Sequence, residues 1–137
     1  MYTVVFDVNI LVSALISDGK PRQLWFRVVR KELDLVLSGK IRSEFLAVIS
    51  RKKFQRYLTD NDMIDFIQIL DNMARFVRPA RGVRVIEEDP DDNLILATAI
   101  GGKADYIVSG DRHMLDFGEF SGIKIVTAQM MLDIVDH

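Results

Sequence analysis

The chain has no cysteine among its 137 residues, which excludes disulfides, thiolate zinc sites and cysteine nucleophiles. Histidine is nearly as scarce, with only His113 and His137, too few for an imidazole-built metal centre. Any metal here is held by oxygen. Three prolines and eight glycines are scattered along the chain, so no Pro/Gly-rich linker divides it. No apolar run approaches the roughly 20 residues that span a bilayer. The opening Met1-Tyr2-Thr3-Val4-Val5-Phe6-Asp7 lacks a basic stretch ahead of an apolar signal core. These absences lead us to expect a soluble, cytoplasmic protein with no membrane partner.

Against them stand 49% hydrophobic and 28% charged residues, the balance of one globular domain spanning 1–137. A net charge of only −2 hides an asymmetry. Residues 20–56 carry a net +8 and residues 57–137 a net −8, as expected if a phosphate-rich partner approaches one side of the domain.

Tyr2 to Phe6 reads as a strand and Val8 to Ile16 as a helix. Pro21 opens a second helix through Arg30, with Leu24, Trp25, Val28 and Val29 as its apolar stripe. Leu35 to Leu37 is a second strand. Ile41, Phe45, Val48 and Ile49 recur at helical spacing, and Lys52 to Tyr57 adds a further helical piece. Thr59-Asp60 caps a helix to about Arg75, and Phe76-Val77 is a short strand. A turn from Pro79 to Gly82 leads to an extended stretch from Val83 to Ile86. Asp89-Pro90-Asp91-Asp92 starts a helix that ends at Gly101-Gly102. Tyr106 to Ser109 and Ile123 to Val126 are strands, and the last helix begins at Ala128. Alternation of this kind predicts an α/β domain with a mostly parallel central sheet, whose ligands gather at the carboxyl ends of the strands.

Acids collect at those ends. Asp7 follows the first strand, and Asp111 follows Ser109 across Gly110. Asp92 shares a helix face with Leu96 and Ala99, so it points inward, and Glu44 sits beside the Ile41/Phe45/Val48 stripe. Taken singly, Asp7 and Asp111 are ordinary caps of the helices that follow, Asp92 is the N3 partner of an Asp89 cap, and Glu44 is an exposed acid in a surface pair. Together they form a cluster whose carboxylates repel and raise one another's pKa unless a cation lies between them. Mg²⁺ or Mn²⁺ suits such a set of oxygen donors and supports phosphodiester hydrolysis.

Four segments in order resemble the successive motifs of PIN domains: Val5 to Ser13, Ser43 to Leu46, Asp89 to Ala99, and Tyr106 to Leu115. The resemblance is to the small prokaryotic PIN proteins of toxin-antitoxin systems, the VapC-like toxins. It implies a three-layer α/β/α sandwich and an endoribonuclease dependent on Mg²⁺ or Mn²⁺. On it, Asp7, Glu44, Asp92 and Asp111 match the acidic catalytic and metal-binding quartet, with Glu44 orienting or deprotonating the attacking water. Asn9 and Ser109 match supporting polar positions, serine standing where many relatives carry threonine. Asp89 and Asp91 are then capping and surface residues, and His113 is an ordinary surface or loop histidine. A cognate antitoxin and a homodimer are further implications.

The basic 20–56 stretch would meet RNA phosphates, with Arg22, Arg27, Arg51, Lys52 and Lys53 as candidates. Trp25 and Phe26 are potential base-stacking residues, although the spacing of Trp25 favours the core. Two other readings compete: a catalytically silent binding module of the same fold, and a phosphate-transfer domain with Asp7 as nucleophile. The second wants another aspartate two positions on, where this chain has Asn9.

Overall fold

The computed structural model describes residues 1–83 and 90–137. The expected extended stretch beyond Val83 and the expected cap Asp89 lie outside the described residues. In chain order the elements are β1 (Tyr2–Phe6), α1 (Val8–Ile16), α2 (Lys20–Val29), β2 (Leu33–Leu37), α3 (Gly39–Ile49), α4 (Lys52–Gln55) and α5 (Asp60–Met73). They continue with β3 (Arg75–Phe76), α6 (Pro90–Gly101), β4 (Tyr106–Val108), α7 (Arg112–Phe117), β5 (Glu119–Phe120), β6 (Ile123–Val126) and α8 (Ala128–Val135).

The six strands form one sheet in the order β3-β2-β1-β4-β6-β5. All neighbours pair in parallel except β5 and β6, which are antiparallel. Val4, Val5 and Phe6 of β1 are buried in succession, as a central strand covered on both faces requires. The chain steps outward from β1 to β2 and β3, then crosses back to β4 and continues outward to β6. Because parallel crossovers are right-handed, helices of the first run and those of the second lie on opposite faces. The result is the expected three-layer α/β/α sandwich. It also places the topological switch between β1 and β4, where open α/β sheets leave a crevice.

Local chemistry fixes the ends of the helices. Thr59 and Asp62 form a capping box on α5, and Thr127 and Ser38 cap α8 and α3 through their hydroxyls. Trp25 is buried and stacks on Phe66 of α5 with ring centroids 4.3 Å apart, so α2 is held to α5 through the core and the indole is no base platform. Two differences from expectation have a direct physical reason. Strand β2 starts two residues early, at Leu33, because Tyr2 and Thr3 of β1 supply partners for Leu33 and Asp34. Strand β5 has only two residues, too few for a periodic signal, and exists by pairing antiparallel with β6.

Gly101 ends α6 where the chain at Arg78 crosses it. A Cβ there would stand 2.2 Å from the Arg78 carbonyl oxygen, a backbone atom with no rotamer to yield. Glycine to alanine in a helix ordinarily gains about 1 kcal/mol. We expect the reverse for Gly101→Ala, a loss of about 1–3 kcal/mol in urea unfolding. Gly39→Ala, where a Cβ meets nothing within 4 Å, should be neutral or slightly stabilising in the same assay.

Candidate active site

Parallel pairing of β1 with β4 sets Phe6 beside Val108, so the residues that follow each strand emerge side by side. Asp7 N–H donates to the Val108 carbonyl (3.1 Å) and Ser109 N–H to that of Val126 (3.0 Å). Ser109, fully buried, links the two acids of this edge. Its hydroxyl donates to Asp7 Oδ2 at 2.5 Å and accepts from Asp111 N–H at 3.0 Å.

Asp7 and Asp111 are also caps. Asp7 Oδ1 accepts from Ile10 N–H at the start of α1 (2.9 Å), and Asp111 Oδ1 accepts from His113 N–H at the start of α7 (3.1 Å). The capping and site readings of these residues are therefore compatible. Capping fixes each side chain at the rim of the same hollow, a cavity of about 270 Å³ lined by Asp7, Asn9, Glu44, Arg51, Asp91, Asp92 and Asp111, with Val8, Ala47, Val48 and Ile95 as its apolar part.

Asp92 is buried despite its charge. It lies in the first turn of α6, where the positive end of the helix dipole favours a carboxylate, and Ile95, Leu96 and Ala99 of the same helix are in the core. Glu44 is half-buried and reaches the cavity from α3. A pair of fully buried hydroxyls joins these two helices: Thr98 Oγ1 of α6 lies 3.1 Å from Ser38 Oγ at the α3 cap and 2.8 Å from the Leu94 carbonyl. All four expected acids and Asn9 thus line one cavity, and Ser109 lies directly beneath it.

Two neighbours were not anticipated for this place. Asp91, expected on the surface, is exposed yet also on the cavity wall. His113, expected as an ordinary surface histidine, has an exposed ring, but its Nδ1 stands 3.9 Å from Asp92 Oδ2. The only signal available for His113 was its position two residues after Asp111. For Asp91 it was the step from Asp91 to Asp92 in a first helical turn.

The basic residues separate into two groups. Arg22 donates to the Ala14 carbonyl (2.9 Å), to that of Leu15, and to Asp18, closing the end of α1. Arg27 pairs with Asp136 (2.7 Å) and Glu32, tying α2 to the end of α8. Both guanidinium groups are committed within the fold. Arg51, Lys52 and Lys53 are exposed and continue from the cavity onto α4.

Burial raises the pKa of Asp7 above the ordinary carboxylate value, and the neighbouring Asp111 charge adds to it; the hydrogen bonds from Ser109 and Ile10 work in the opposite direction. A cation at the cavity would relieve this cost. Among the described residues no three acidic or histidine side chains converge into a ready-made cation cage. The donors are hard oxygens spread around a cavity wall. That arrangement fits an ion such as Mg²⁺, which typically takes one or two carboxylates and keeps its waters until substrate oxygen replaces them.

The comparisons with known proteins agree with this architecture. A family model described as PIN domain matches residues 3–113. None of the curated proteins matches the chain. Among solved structures, the chain resembles one from the crystal structure of VapBC2 from Rickettsia felis bound to a DNA fragment from their promoter. The TM-score is 0.60 at 16% identity, over 90% of this chain and 96% of that one. At that identity the likeness is one of fold.

The raised pKa of Asp7 has a consequence for stability. Ionised Asp7 weakens the fold, and the loss sets in as pH rises from the unfolded-state value through the higher folded-state one. With chelator present, Asp7→Asn should unfold at a higher temperature than wild type near neutral pH, since asparagine caps as well as aspartate. The difference should shrink as pH falls toward the ordinary carboxylate range. Thermal unfolding followed by circular dichroism across pH measures it, and an Asp7→Asn midpoint below wild type at neutral pH would contradict the sign.

Proposed function

The chain belongs to the PIN-domain family, and on that premise we propose that it is a divalent-metal-dependent endoribonuclease acting as the toxin of a toxin-antitoxin pair. The observation that carries this reading is the convergence of Asp7, Glu44, Asp92 and Asp111 on one cavity at the sheet's switch point. Asp7, Asp92 and Asp111 would hold Mg²⁺ or Mn²⁺ together with Glu44. When bound, the ion supplies positive charge against the phosphate oxygens and lowers the pKa of water.

The chain's own residues account for the rest. Glu44 accepts a proton from the attacking water. Ser109 holds Asp7 in one orientation and receives the Asp111 N–H, so the two acids keep a fixed separation, while Asn9 offers an exposed amide at the rim. As water forms the new P–O bond, the bond from phosphorus to the 3′ oxygen breaks. The 3′ oxygen leaves with the electron pair and takes up a proton. The products carry 5′-phosphate and 3′-hydroxyl ends. Lys52 and Lys53 would hold flanking phosphates, a contact that gives affinity without reading sequence.

Asp7 is a poor nucleophile by comparison. It is 8% exposed, and each carboxylate oxygen already accepts a hydrogen bond. Likeness to a VapBC2 chain supports a cognate antitoxin as partner. A homodimer and action in the cytoplasm belong to the same reading, and the exposed Phe26, Ile64, Ile69 and Met130 are apolar side chains that protein contacts would cover. No helix among the described residues is long and apolar enough to cross a membrane.

End-labelled structured and single-stranded RNAs incubated with the protein and Mg²⁺ or Mn²⁺ test the activity. Cutting should stop in chelator and fall to the blank level in a folded Asp7→Asn/Asp92→Asn variant. Ends bearing 2′,3′-cyclic phosphate would overturn the hydrolytic route, because they arise from attack by the ribose. Mn²⁺ binding in calorimetry without cutting on any RNA would favour a silent module.

A further inference from the structure

Arg51 is distinct from the other cations of this protein. Among the described residues it is the single basic residue lining a cavity that also has five acidic residues on its wall, and it forms no ion pair within 4.0 Å with any of them. Arg22, Arg27, Arg42 and Arg75, by contrast, are each bound to a carboxylate of the fold. Its backbone is well fixed. Arg51 N–H donates to the Val48 carbonyl (3.1 Å) and its own carbonyl accepts from Phe54 N–H (3.0 Å). The residue thus forms the joint between α3, which carries Glu44, and α4. An exposed arginine on the wall of an acidic cavity, with no carboxylate of the described residues paired to it, is open to an anion that enters the cavity.

We propose that Arg51 contacts the reacting phosphate itself, placing two donors on its non-bridging oxygens as charge builds during hydrolysis, whereas Lys52 and Lys53 touch only flanking phosphates. This rests on the ribonuclease reading. The guanidinium fork matches a phosphate bidentately, and lysine meets it as a point charge. Contact of this kind strengthens as the phosphorus becomes five-coordinate, so it acts on the rate of the bound complex more than on binding. In chelator the cavity's carboxylates repel the phosphate, and only the α4 lysines remain in contact with RNA.

The test uses the full-length chain, a set of end-labelled oligoribonucleotides, and four variants: Arg51→Gln, Arg51→Lys, Lys52→Gln/Lys53→Gln, and Asp92→Asn as the inactive reference. Circular dichroism checks that each is folded. Arg51→Gln should lower the single-turnover rate at saturating RNA by about a hundredfold, with KM and RNA affinity in chelator close to wild type. Arg51→Lys should recover part of that rate. The double lysine variant should show the opposite pattern, a raised KM and weaker binding in chelator at a nearly unchanged maximal rate. An Arg51→Gln enzyme that keeps the wild-type maximal rate and loses only affinity would overturn the assignment while leaving the nuclease intact. Wild type that behaves like Asp92→Asn on every RNA offered would overturn the nuclease reading and the assignment together.

Discussion

Parallel pairing of β1 with β4 is the constraint from which the site follows. It brings Asp7 and Ser109, 102 residues apart in sequence, into hydrogen-bond contact at the carboxyl edge of the sheet. Ser109 in turn receives the N–H of Asp111, so one buried hydroxyl fixes both acids. The pairing is set by Val4, Val5 and Phe6 against Tyr106, Ile107 and Val108, largely buried residues whose register cannot slip by one without turning apolar side chains out of the core. The position of a polar site is in this way determined by an apolar register.

The other two acids arrive by a different route. Glu44 and Asp92 ride on α3 and α6, which follow β2 and precede β4. The buried contact between Ser38 and Thr98 joins those helices close to the sheet. A hydroxyl pair in this position does two things: it satisfies groups that would be costly to bury alone, and it fixes the spacing between the two carboxylate-bearing helices. Burial raises the pKa of Asp7 and the neighbouring Asp111 charge adds to it, so an ionised Asp7 is costly to the fold. Stability and function pull against each other here, a common condition of active sites.

Cations show the same division between holding the fold and facing outward. The net positive charge of residues 20–56 is not one surface. Arg22, Arg27 and Arg42 are used to close helix ends and join α1, α2, α3, α5 and α8, and their charges are already opposed by carboxylates of the fold. Among the described residues, the exposed basic residues that adjoin the acidic cavity are those around α4, beginning with Arg51. Sequence counts charges but not their partners, so it does not separate Arg22 and Arg27, which meet carboxylates of the fold, from the exposed Arg51.

Sequence by itself determined most of the architecture and picked out four of the acids that line the cavity. Periodicity placed β1, α1, α6, β6 and α8 nearly to the residue, because long apolar repeats at spacing 2 or 3.6 have few alternatives. Asp7 and Asp111 were legible because acids just after strands can only lie at the carboxyl edge, and Asp92 because it shares a helix face with core residues. Only the tertiary structure decided the rest. It gave the strand order, the place of Asp91 and His113 beside the cavity, the Ser38 and Thr98 contact, and the separation of committed from open arginines. Each of these depends on which side chains meet across the fold, and a linear pattern carries the period of an element but not the identity of what it packs against.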